Sequence, residues 1–122
     1  GPLPSNVRVA SYIPYGALLP KTSLVVTNGG FQGVQAVLSH GIPMVTAGES
    51  EDKPEVCARL QRTGASIDLA TATPEPEAIR AAVRRVLDEP SFSVAATALA
   101  REAAEAGGAV GAVDAIESVL RR

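Results

Sequence analysis

The stretch from Ser23 to Asp52 constrains this chain more than any other. An apolar run, Leu24 to Val26, ends at Thr27 and gives way to Asn28, Gly29 and Gly30. An amphipathic segment follows to His40. Then come Gly41, Pro43 and a second apolar run, Met44 to Ala47, which opens into Gly48-Glu49-Ser50-Glu51-Asp52. Strand, glycine turn, helix, turn, strand is a βαβ unit, whose strands run parallel with a right-handed crossover. The helix places Val34, Val37 and Leu38 on one face, Gly41 fits its C′ position, and Pro43 blocks continuation. Glycines at the turn let a ligand approach the backbone closely. The helix behind them presents unpaired N–H groups and the positive end of its dipole. Such a corner suits an anion, most often phosphate. The same glycines can equally do no more than pack strand against helix.

The flanking sequence extends the pattern to four strands. Val7 to Tyr12 is β-branched and alternates, which predicts a strand stopped by Pro14. Tyr15 to Leu19 has room for one helical turn before Pro20. Ser23 to Thr27 and Met44 to Ala47 are continuous apolar runs, as in strands buried on both faces. Glu51 or Asp52 opens the next helix, with Val56, Cys57 and Leu60 facing inward and Gly64 as its stop. Ala65 to Leu69 is the last strand. Beyond it, Thr73-Pro74 suits an N-cap and N1 pair, and Ile79, Val83, Val86 and Leu87 form a stripe up to Pro90. A second helix runs from about Phe92 to Ala106, ending at Gly107-Gly108, and a third carries Val113, Ile116 and Leu120. Alternating strands and helices specify an α/β fold with a Rossmann-like parallel sheet and additional C-terminal helices.

Composition narrows the function classes. The 122 residues suffice for one modest core. A net charge of −2 with no basic block argues against nucleic-acid binding. One cysteine, Cys57, excludes an internal disulfide and is compatible with a reducing, cytoplasmic compartment. No apolar run approaches the ~20 residues of a membrane span, and no signal-peptide pattern is present. No His, Cys and carboxylate cluster has metal-ligand spacing, so no metal or cofactor is expected. His40, the only histidine, reads as a capping or surface residue. Its neighbour Ser39 is not expected to face it, because adjacent helix positions diverge. Cys57 reads as a buried, inert thiol.

In parallel sheets, ligands bind beyond the carboxyl ends of the strands. Three loops are expected there. In the first, Tyr12 can stack on a nucleobase while the backbone at Ile13 reads the base edge, or Tyr12 can be a core aromatic. In the second, the N–H groups of residues 28–33 can cradle a diphosphate, with Asn28 and Gln32 adding neutral hydrogen bonds. It is neither a Walker loop nor GxGxxG. In the third, Asp52 and Lys53 can hold sugar hydroxyls, or the acidic run Glu49 to Asp52 can be a solvated helix start.

At these residues the sequence resembles a known family. NVRVASYIPYGALLP, LVVTNGGFQGVQAVLSHGIPMV, EDKPEVCARL, GASIDL and TPEPEAIRAAVRRVLDEP are similar in order and spacing to the C-terminal, donor-binding domain of GT-B-fold nucleotide-sugar glycosyltransferases. The nearest group is the bacterial enzymes acting on macrolides and other natural products. The resemblance implies base stacking on Tyr12 and base reading at Ile13. It implies diphosphate held at Asn28, Gly29, Gly30, Gln32, Gly33 and Val34, and the donor sugar held by Asp52 and Lys53. It implies a TDP- or UDP-sugar donor, a small-molecule acceptor and no catalytic base in this chain.

Two positions depart from the family. Asn28 stands where a histidine is usual, and Lys53 where glutamine is usual, so Lys53 is expected to restore part of the lost positive charge. The resemblance also implies a fragment, lacking the first two strands of that domain and the N-terminal acceptor domain. An unpaired VRVASY strand would then pair with LVVT, swap into another copy or leave an exposed edge, which invites a homodimer. The rival readings are a non-catalytic nucleotide-sugar-binding module and a GT-B-fold epimerase.

Overall fold

The computed structural model describes residues 4–48 and 53–106. Its centre is a parallel sheet of β1 (Val25–Thr27), β2 (Met44–Thr46) and β3 (Ser66–Asp68), in that spatial order. The register aligns Thr27, Thr46 and Asp68 across the sheet, so the three carboxyl ends form one row. Before β1 come α1 (Tyr15–Leu18) and a 3₁₀ turn, Leu19–Lys21. Helix α2 (Phe31–Ser39) joins β1 to β2, and α3 (Lys53–Arg62) leads into β3. Helices α4 (Pro76–Asp88) and α5 (Pro90–Ala106) follow.

Strand β2 is buried at every position and feeds two cores through its alternating side chains. Met44 packs with Val34, Val37 and Leu38 of α2, Leu60 of α3, and Ala96 and Ala103 of α5. Val45 faces the opposite way, to Ala82 and Val86 of α4 and to Phe92. The molecule is therefore three layers deep around a central strand that is apolar on both faces, as expected for a parallel sheet. The inward stripe expected of α2 is 0–2% exposed, and Gly41 ends that helix at φ +69°. Gly64 ends α3 at φ +86°, a conformation glycine adopts without a Cβ penalty.

Four expectations change. Residues 7–12 are not a strand; they are exposed and unpaired, and the sheet has three strands among the described residues. Their β propensity finds no neighbour to complete a ladder, and a strand is stable only through its cross-strand partners. The N-cap of α4 is Glu75 with Pro76 at the first helical position, two residues later than expected. Leu87 is 56% exposed, and Ala82 takes the core position beside Val86. Pro90 opens α5 instead of only closing α4, which its fixed φ permits. Glu51, the Gly107-Gly108 stop and the third C-terminal helix lie outside the described residues.

Ser66 is an anomaly in this core. Its side chain is 2% exposed and its Oγ finds no partner among the described residues. A buried hydroxyl left unbonded costs about 1–3 kcal/mol. Ser66→Ala is therefore expected to raise stability by about 1 kcal/mol, seen as a higher urea midpoint at unchanged slope.

Candidate functional site

The site is built on the row of strand ends. After Thr27 the chain turns sharply at Gly29, where φ is +84°. Two side chains hold that turn. Thr27 Oγ1 accepts the Gly29 N–H at 3.3 Å, and Asn28 Oδ1 accepts the Gly30 N–H at 3.3 Å. Gly30 is the N-cap of α2, and among the described residues no side chain caps that helix. Nor does its first turn contain an acidic residue. The dipole and the first-turn amides of α2 thus meet the row of strand ends with no acidic side chain in that turn, and the carboxylate in the row, Asp68, stands two strands away and accepts the Thr46 hydroxyl at 3.2 Å; this arrangement suits an anion.

The glycines add a steric observation. A Cβ at Gly33 would meet nothing within 4 Å, and one at Gly30 would meet only Asn28 Oδ1 at 3.7 Å. Gly30 has φ −58°, open to any residue, and Gly33 lies inside a helix. Among the described residues, neither backbone strain nor packing requires glycine at either position. By contrast, a Cβ at Gly41 would come 3.3 Å from Thr97 Cα, so that glycine is explained by packing. Among the described residues, the space over Gly30 and Gly33 is left open at the N-terminal turn of α2.

The structure brings residues 28–34 to this row. Asn28 is exposed and Gly29 buried, while Val34 donates its N–H to the Gly30 carbonyl at 2.9 Å and buries its side chain. Ala47 and Gly48 continue from β2 beside the turn, with the Ala47 N–H bonded to the Thr27 carbonyl at 3.0 Å. Asp52 lies outside the described residues, as do the side chains of Gln32 and Lys53; the backbone of Lys53 begins α3. Tyr12 and Ile13 stand on the irregular segment before α1, not on the sheet. Tyr12 is 81% exposed, which excludes the core-aromatic reading, and Ile13 is 41% exposed.

The other candidates fall away from this face. His40 caps the far end of α2, about 15 Å along its axis from Gly30. The Ser39 hydroxyl and His40 do face each other, at 3.2 Å, contrary to expectation. His40 has left helical geometry (ψ 2°), so its ring folds back. Ser39 Oγ donates to the Ala36 carbonyl at 2.7 Å, and His40 Nδ1 lies 3.0 Å from the same oxygen. This is a helix cap, not a nucleophile and base. Cys57 is fully buried. Among the described residues no three His, Cys, Asp or Glu side chains converge, and no helix is long and apolar enough to cross a membrane.

Sequence reasoning missed Thr27, whose hydroxyl holds the Gly29 amide. The signal was a hydroxyl two residues ahead of a glycine, the pattern of a side-chain-closed turn.

Known proteins share this architecture. The chain is 48% identical over 103 residues to 4'-demethylrebeccamycin synthase of Lentzea aerocolonigenes, covering 84% of this chain and 24% of that protein. It is 46% identical over 100 residues to UDP-glycosyltransferase 2 of Phaeomoniella chlamydospora, covering 82% of this chain and 22% of the relative. It therefore spans about a quarter of the length of these relatives. Among solved structures, spinosyn forosaminyltransferase SpnP superposes on the whole chain with TM-score 0.84 at 30% identity, over 33% of its own length. Glycosyltransferase VinC in complex with DTDP covers 99% of this chain and 30% of its own, with TM-score 0.79 at 28% identity. Residues 1–117 match the family described as erythromycin biosynthesis protein CIII-like, C-terminal domain. The chain belongs to that family, the C-terminal domain of GT-B-fold UDP/TDP-glycosyltransferases.

Proposed function

We propose that this chain is the donor-binding part of an inverting glycosyltransferase that moves a sugar from a TDP- or UDP-sugar to a hydroxyl of a small natural-product acceptor. The observation that carries the reading is the pair Gly30 and Gly33, which among the described residues have no conformational or packing need and stand beside open space at the uncapped end of α2. A diphosphate fills such a space, and first-turn amides stabilise the charge that grows as it departs, without a metal. The base that deprotonates the acceptor hydroxyl comes from a separate acceptor domain, and the resulting oxygen attacks the anomeric carbon. Tyr12 and Ile13 take the base; Asp52 and Lys53 take the sugar. The intact enzyme works in the cytoplasm, with additional strands of the same polypeptide covering the free edge of β1; where they are absent, a second copy competes for that edge.

Calorimetric titration of the protein with thymidine and uridine diphosphates tests the reading. Saturable 1:1 binding is expected, and no binding of either removes it. Lys53→Ala is expected to weaken diphosphate binding about threefold to tenfold and to flatten its salt dependence, since a cation near the phosphates is lost. Unchanged affinity and salt slope would show that Lys53 does not replace the charge missing at Asn28. Donor hydrolysis and transfer by the intact parent protein separate an enzyme from a binding module.

A further inference from the structure

We infer that Asn28 serves the donor site as a positioning residue, acting through the Gly30 amide and not by touching the diphosphate. The inference rests on the donor-site reading above. Asn28 Oδ1 already accepts the Gly30 N–H at 3.3 Å and packs over the α-carbon of Gly30, at 3.7 Å from where a Cβ would stand. Gly30 in turn starts α2, its carbonyl taking the Val34 N–H at 2.9 Å, the first bond of the helix. The carboxamide therefore links the end of β1 to the first turn of the helix whose amides form the cradle. Thr27 makes the same kind of bond one residue earlier, from Gly29, so two successive glycine amides are tied back to side chains. Glycines are the residues with the most conformational freedom to lose on ligand binding. Fixing them beforehand keeps the α2 amides aimed when the ligand arrives, which lowers the entropic cost of binding.

The consequence is specific. What matters at position 28 is an acceptor two residues before Gly30, not an amide donor facing the phosphates. Serine can rebuild that bond, as the hydroxyl of Thr27 does to Gly29. Alanine cannot.

The test compares the wild-type protein with Asn28→Ser and Asn28→Ala, using thymidine diphosphate as probe and the exchange rate of the Gly30 amide as a second readout. Asn28→Ser is expected to keep the Gly30 amide protected and to bind within about twofold of wild type. Asn28→Ala is expected to lose both, with affinity down about fivefold. If the serine variant keeps Gly30 protected yet binds as weakly as the alanine variant, the carboxamide touches the ligand and the inference is wrong. It is equally wrong if the alanine variant binds as well as wild type. A wild-type protein that binds neither diphosphate would instead remove the donor-site reading itself.

Discussion

Gly33→Ala is expected to make the protein more stable and to cost it at least about tenfold in thymidine diphosphate affinity. Both halves follow from one position. Gly33 lies in the first turn of α2, and a Cβ there meets nothing within 4 Å. The folded chain has no reason to reject the methyl group, and replacing glycine by alanine in a helix gains about 0.5–1 kcal/mol. A phosphate held on first-turn amides must sit within about 3 Å of the backbone nitrogens, and a methyl group beside it leaves less room. A displacement that breaks one charge-assisted hydrogen bond costs about 1.5–3 kcal/mol, which is tenfold or more in affinity. Thermal unfolding and calorimetry on the same sample read the two effects with opposite signs. A variant that binds diphosphate as well as wild type would mean that the space over α2 is not where phosphate sits.

The largest stability effect is expected at the middle strand. Met44 is fully buried and belongs to the larger core, which it shares with residues of α2, α3 and α5. Met44→Ala removes three side-chain heavy atoms from a position that the three helices cannot collapse onto, because β2 is fixed by strands on both sides. Truncations of this kind cost about 2–5 kcal/mol. Small domains are stable by about 5–15 kcal/mol, so this single change consumes a large share. A urea melt is expected to show the midpoint falling with little change in slope. A loss below about 1 kcal/mol would indicate that the site relaxes around the gap.

The glycine turn and its flanking strands were legible because each boundary had its own chemical mark. Asn28-Gly29-Gly30 opened α2, Gly41 and Pro43 closed it, and Gly64 closed α3. Apolar runs without alternation marked β1 and β2 as parallel strands. The errors fall where a local pattern needs a distant partner. VRVASY has the residues of a strand and, among the described residues, no strand beside it. Leu87 continues a helical stripe in letters but stays exposed near the end of α4. The facing of Ser39 and His40 was hidden because the rule for adjacent helix positions holds only while both remain helical, and His40 does not. In the candidate site, the glycines were readable as letters. That two of them are unnecessary for the fold became visible only when the space around their α-carbons was known.

The close approach at Gly41 reaches further than its own turn. A side chain there would come 3.3 Å from the backbone of Thr97, so the rear of α2 is pinned to α5. Val34, Val37 and Leu38 carry the packing along the helix to its first turn, so α2 shifts against its neighbours as one rod. Bulk introduced along the α2–α5 seam is therefore leverage on where the front amides point. With the proposed donor site at the front of α2, diphosphate affinity is expected to respond to substitution of Thr97 at the other end of that helix, read by the same calorimetric titration.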